Sequence, residues 1–279
     1  MTITLSRRYL AVPVAFAIAA FMQMSAAAEP AFVPKAKAWD RWNVAGPGAD
    51  VDYAPWGAFL TQHVTVGADE IARVAYDDVT EDGRAKLTAL VNDLEAVPVR
   101  TLTKAQQKAY WINLYNAATV ELIVKHYPVS TIRKVHGGIF RTGPWDRDIL
   151  TVDGTEISLN DIEHRILRPL FGDPRIHFAV NCASLGCPNL ASEPFVAERL
   201  DAQLDAAASN FFNHPRAFQA DGDDLKASSL FHWYNVDFGG PAGLIAAARG
   251  YAKPKLAALL DGRSDWDSHD YDWDLNDAR

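Results

Sequence analysis

The sequence predicts an α+β fold: one mostly helical domain with a buried central helix and a small, largely antiparallel sheet. Three observations carry that prediction. Apolar residues recur at helical spacing in several separate segments. Short hairpin signals stand at Asp153-Gly154 and Asp221-Gly222. The strands they imply do not alternate regularly with helices, which argues against βαβ units and a parallel sheet.

The chain begins with Arg7-Arg8, a mostly apolar run from Tyr9 to Met24, and small residues at Ala26-Ala27-Ala28. This is the pattern of an export signal over residues 1–28, with Glu29 as the mature start. The run carries Pro13 and Gln23 and is short for a bilayer span. Ser6-Arg7-Arg8-Tyr9-Leu10 is also a partial twin-arginine signal, so both export routes stay open. The expected location is periplasmic or secreted, with no membrane span after signal cleavage. The 279 residues include 27 basic and 35 acidic ones, a net charge of −8. Arg7 and Arg8 are the only charges before Glu29, so the mature chain is more acidic still. Such a chain has no electrostatic attraction for nucleic acid or anionic membrane.

Residues 29–83 read as an irregular N-terminal arm in which Trp39, Trp42, Tyr53, Trp56 and Phe59 are scattered among Pro and Gly. Residues 84–279 read as the globular body. Leu87, Leu90, Val91 and Leu94 make one stripe on a helix over 84–97, ended by Val97-Pro98. Thr103 and Gln106 form a capping box for a helix that reaches about residue 126. That helix is apolar nearly all round, as a buried central helix must be. Asn113 and Asn116 share a face on it and either brace neighbouring loops or meet substrate. Residues 148–158 read as a hairpin, and Ser158 caps a helix to about residue 168. An amphipathic helix follows through Leu200, Leu204, Ala208 and Phe211, then a hairpin near Asp221 and a helix over 229–238. A last helical region over 241–260 is interrupted by Pro254. The aspartates between Asp265 and Asp277 read as a solvated acidic tail. His136-Gly137-Gly138 reads as a flap over the site or as an ordinary turn.

The chemistry gathers between Asp173 and Leu190. Residues 175–181 read as a short strand with Ile176, Phe178 and Val180 on one face and His177, Ala179 and Asn181 on the other. The loop behind it holds Cys182 and Cys187, the two cysteines of the chain. In an oxidising compartment they close a small disulfide loop worth about 2 kcal/mol. Alternatively, one is a nucleophile with its thiolate stabilised by His177. Metal binding with His177 is a third reading, although the Cys-x4-Cys spacing is unlike structural zinc sites. Inert thiols are a fourth. At about 100° per residue, Glu163 falls inside the apolar arc of Leu159, Ile162, Ile166 and Leu170, while His164 falls off it. A buried carboxylate is paired, hydrogen-bonded or protonated. Glu163 is therefore either a functional acid or half of an internal salt bridge to Arg175 or Arg133. No phosphate loop, dinucleotide fingerprint, nucleophile elbow or zinc-protease motif occurs, which disfavours those chemistries, and no cofactor is expected.

Several ordered motifs have a common likeness. They are AYWINLYNA from Ala109, SLNDIEH from Ser158, DPRIHFAVNC from Asp173, SLGCP from Ser184, SLFHWY from Ser229 and YDWDLN from Tyr271. Together the chain resembles the family called domain of unknown function 547 from about residue 100 to the end, leaving the arm uncovered. The resemblance implies a common fold, a shared polar cluster of Asn113, Glu163, His177, Cys182 and Cys187, and, from the bacterial members, export. It assigns no roles. The leading expectation is a thiol-dependent hydrolase or acyl transferase acting on an amide or ester of a small molecule or peptide-like substrate. Cys182 or Cys187 would attack, His177 would take the proton, and Glu163 or Asn113 would orient the imidazole. The alternative is a non-catalytic ligand-binding or scaffold domain with a Cys182–Cys187 disulfide, recognising its ligand through Trp145, Trp233 and Trp273. In a third version Glu163 is the acid or base and the thiols have no role.

Overall fold

This computed structural model describes residues 33–135 and 143–279, so the 1–28 signal and the 136–138 flap or turn lie outside the described residues. Folded elements replace the irregular arm expected over 29–83. A 3₁₀ turn at Asp40–Trp42 leads to helix α1, Ala54–His63, and to an antiparallel hairpin of β1, Val64–Val66, and β2, Ala72–Val74. Trp42 and Trp56 are each 1% exposed and belong to the main core. Trp42 meets Trp111 edge-on at 5.2 Å. Scattered aromatics bury large areas without any period, and sequence patterns detect only the period.

Helix α2, Glu81–Glu95, is capped by Thr80 and turns Leu87, Leu90, Val91 and Leu94 into that core. Helix α3, Lys104–His126, carries the predicted capping box. Thr103 Oγ1 accepts from the Gln106 N–H at 3.3 Å, and Gln106 Oε1 accepts from the Thr103 N–H at 3.0 Å. All residues from Ala109 to Val124 are buried, so α3 is the axis around which the rest packs. Strands β3, Leu150–Val152, and β4, Thr155–Ile157, form the expected hairpin. Asp153 and Gly154 have φ of 49° and 67°, as a two-residue turn of this kind requires.

Ser158 and Asp161 then cap each other reciprocally, at 3.1 and 3.0 Å. The helix they start is π-helical over Asp161–Leu167 and ends as α4, Arg168–Phe171. Residues 175–181 are not a strand. Pro174–Phe178 is a 3₁₀ helix, with Asp173 accepting from the Arg175 N–H at 3.0 Å and Pro174 at its first position. Proline has no N–H to leave orphaned there. Ile176, His177 and Phe178 are all buried, so alternation had no solvent face to report.

Helix α5, Leu200–Phe212, precedes the hairpin of β5, Phe218–Asp221, and β6, Asp224–Ser228. Helix α6, Ser229–Tyr234, continues as a 3₁₀ turn to Phe238, followed by α7, Pro241–Tyr251, and α8, Pro254–Leu259. They enclose a second core around Phe212, Phe231 and Leu244. The acidic tail is not simply solvated. Strand β7, Ser268–Asp270, pairs parallel to β6, and the chain beyond it bridges Leu275 to Ser184 and Asp277 to Val74. Asp272 and Asp274 are exposed while Leu275 is buried and Tyr271 and Trp273 are half-buried, a period of two that makes this segment a strap.

Trp42→Ala is expected to cost about 3–5 kcal/mol of unfolding free energy in a denaturant titration. A loss below about 1 kcal/mol would return residues 33–53 to the status of a peripheral arm.

Candidate functional site

The cysteine loop is held from three sides. From α3, Asn116 accepts the Asn181 N–H at 2.8 Å and donates to Ala179 O at 2.9 Å, so it braces a loop. From the strap, Asp274 O and Asp272 O accept the N–H groups of Leu185 and Gly186 at 2.8 and 2.9 Å. A Cβ on Gly186 would stand 2.8 Å from Asp272 O, and only glycine permits that approach. From the third side, Arg216 donates to Leu185 O and Cys187 O at 2.8 and 2.6 Å. Within the loop Ala183 sits at φ 58°, a left-handed conformation costly for alanine, with its N–H bonded to Asn181 Oδ1.

This clamping brings the two sulfurs together. Cys182 and Cys187 are free thiols with Sγ atoms 3.1 Å apart. Cys182 Sγ also lies 3.1 Å from Ser184 Oγ and 3.1 Å from the Tyr271 hydroxyl. The hydrogen bond between the two thiols pulls the Cys182 pKa below the ordinary 9.0; burial opposes this, and Ser184 and Tyr271 reinforce it. Burial pushes Cys187 well above that value, and likewise keeps the Tyr271 phenol protonated. Of the two sulfurs, Cys182 is the one whose pKa is lowered.

A buried charge array stands beside the thiols. Glu163 is not paired with Arg175, which holds Asp173, Asp201 and Asp205, nor with Arg133. It faces His177, whose Nδ1 lies 3.5 Å from Glu163 Oε1, and it accepts from the Tyr115 hydroxyl at 3.3 Å. His177 Nε2 donates to Asp237 Oδ2 at 2.7 Å, and Arg168 holds the same carboxylate through both oxygens at 2.6 and 2.9 Å. The Tyr234 ring stacks on His177 at 4.0 Å. Burial alone would raise the pKa of Glu163, yet His164, His177 and Arg168 together bring it down to about 2. Burial would lower that of His177, yet hydrogen bonds to Asp237 and Glu163 outweigh it and raise it above 6.5. His177 thus lies between two carboxylates that favour its protonated form. The π-helix explains why His164 is 3% exposed despite lying off the α-helical arc. Its wider turn brings consecutive residues Glu163 and His164 to the same wall, a distortion common at functional sites.

Both groups open on one cavity of about 560 Å³. It brings together Glu163, His177, Cys182 and Cys187, but not Asn113, whose amide is bonded on both sides to the Phe195 backbone at 2.7 and 3.0 Å. Among the described residues no hydrogen bond joins His177 to either sulfur. Trp145, Trp233 and Trp273 line the cavity as one wall, with Trp273 5.8 Å from Trp145 and 5.6 Å from Trp233. Sequence reasoning missed His164, Arg168, Asp237 and Tyr271. The aromatic-acid alternation around Tyr271 was the one signal that pointed to any of them. Among the described residues no group of three His, Cys, Asp or Glu side chains is disposed to hold a metal ion.

Residues 99–212 match the family described as Protein of unknown function, DUF547. Over those residues the chain is similar to that family. No curated protein and no solved structure matches the chain. The DUF547 match contains Glu163, His177 and both cysteines but stops short of Asp237 and Tyr271, which reach the same site from the last 70 or so residues.

Asp237→Asn leaves Arg168 and His177 without their carboxylate and is expected to cost about 3 kcal/mol at neutral pH. Imidazole titration by NMR should also find the His177 pKa lowered in that variant. An unchanged titration would mean that Asp237 does not hold the imidazolium. The linked pH dependence has a definite sign. With a folded pKa of about 2 against 4.5, Glu163 stabilises the fold above pH 4.5 and loses that contribution as pH falls through 2. Glu163→Gln should remove that acid-side loss in unfolding measured across pH.

Proposed function

We propose that the chain is a thiol-dependent hydrolase or acyl transferase acting on an amide or ester, with Cys182 as nucleophile. The observation that carries this reading is the sulfur's environment. Three protic groups surround Cys182 Sγ at 3.1 Å on the wall of a cavity of about 560 Å³. Such a volume suits a small molecule or one end of a peptide-like chain. The Cys182 thiolate adds to the acyl carbon, forming a C–S bond as the C–N or C–O bond breaks. The leaving group takes its proton from the Tyr271 hydroxyl, which touches the sulfur. Water then attacks the thioester and gives its proton to the phenolate, releasing the acid and restoring the thiolate. In a transferase a second nucleophile replaces water.

The roles given to His177 and Glu163 change in this reading. With Nε2 bonded to Asp237 and Nδ1 facing Glu163, His177 makes no hydrogen bond to either sulfur and is not placed to deprotonate one. A carboxylate with a pKa of about 2 is a weak base and no reservoir of protons. The pair serves as a fixed dipole on the cavity wall that orients a polar part of the substrate. The sulfur-to-sulfur distance of 3.1 Å favours a second reading, a ligand-binding or scaffold domain whose Cys182 and Cys187 are oxidised to a disulfide. Export through the 1–28 signal belongs with both readings and decides how oxidising the surroundings are.

In the reduced protein, alkylation of Cys182 by iodoacetamide should rise with pH at a midpoint below 9.0, and Tyr271→Phe should move that midpoint up. Cys182→Ala should abolish turnover of activated esters. Full turnover in Cys182→Ala would remove the nucleophile from the account.

A further inference from the structure

The charges that line the cavity fall into two kinds. Glu163 is answered by His177 within the wall. Arg133 is not answered by any carboxylate among the described residues, and the adjoining 136–142 stretch contains no acidic residue. Its guanidinium lies exposed at the cavity, 5.3 Å over the Trp273 ring. Asp146, the other charged group there, is hydrogen-bonded by Asn160 Nδ2. A guanidinium laid on an indole is fixed in direction while its N–H edge remains available to an oxyanion.

A series of aromatic contacts connects Arg133 to the nucleophile. From Trp273 the wall continues to Tyr271 at 4.7 Å, and the Tyr271 hydroxyl is 3.1 Å from Cys182 Sγ. A substrate with its acyl carbon at Cys182 would lie along two aromatic rings and present its far end to Arg133. We propose that Arg133 selects substrates whose acyl part ends in a carboxylate, with an apolar or planar body resting on Tyr271 and Trp273. This inference rests on Cys182 being the reactive thiol. An ion pair at a solvent-exposed mouth is worth about 1 kcal/mol, a preference of about 5- to 10-fold.

Two thiol reagents of similar size test this on the intact reduced protein: neutral N-ethylmaleimide and anionic 3-maleimidopropionate. Rates at Cys182 are read by peptide mass spectrometry and normalised to those of N-acetylcysteine. The anionic reagent is expected to label Cys182 about 5-fold faster after normalisation, and added salt should shrink the difference. Arg133→Ala should abolish the preference without changing the N-ethylmaleimide rate, while Arg133→Lys keeps part of it. Equal normalised rates in the wild type, or a preference that survives Arg133→Ala, overturn the role of Arg133 and leave the Cys182 proposal standing. Failure of both reagents to label Cys182 overturns the reactive thiol, and this inference with it.

Discussion

Asp237 accepts hydrogen bonds from His177 and Arg168 at once, and the shape of the site depends on that shared carboxylate. It ties together three segments that local structure alone would leave independent: α4 behind the π-helix, the 3₁₀ helix at Pro174–Phe178 and the turn after α6. The Arg168 side chain is 1% exposed and His177 likewise. Charges so far from water persist only when geometry and hydrogen bonding offset desolvation. Arg168, His177 and His164 do so here against two carboxylates, the second of which is Glu163. Each member answers at least one other, so the array fixes one arrangement of the cavity wall.

The thiol side is organised by a different device. Among the described residues Cys182 has no histidine within hydrogen-bonding distance, and its sulfur lies 3.1 Å from Cys187, Ser184 and Tyr271. Tyr271 comes from the strap that also clamps Leu185 and Gly186, so the segment that shapes the loop also supplies its proton-bearing phenol. The His177–Glu163 pair is thus held apart from the sulfurs while facing the same space. The tryptophan wall supplies the apolar surface between them.

Much of this was legible in the residues. The Thr103–Gln106 box, the all-round apolar helix behind it and the Asp153-Gly154 turn are local rules, and local rules fold as written. The resemblance implied one cluster of Asn113, Glu163, His177, Cys182 and Cys187, and all but Asn113 line one cavity. What escaped was non-local or off the standard period. Asp237 is 60 residues from His177 and marked by nothing in its own neighbourhood. His164 was turned away by a helical period that the π-helix does not obey. The strand expected over 175–181 failed because a segment buried on every side has no polar face with which to declare its period. Trp42 and Trp56 escaped for a related reason: they anchor the core singly. Counting the aspartates of residues 265–277 as one charged run hid the alternation with Tyr271, Trp273 and Leu275.

The most direct measurement is fragment-ion mapping of the reduced protein, acid-quenched during turnover of p-nitrophenyl acetate. An acetyl group should accumulate on Cys182 within the first turnover and be absent from Cys187. Turnover with no acyl group on Cys182, or with the acyl group on Cys187, would contradict Cys182 as the nucleophile.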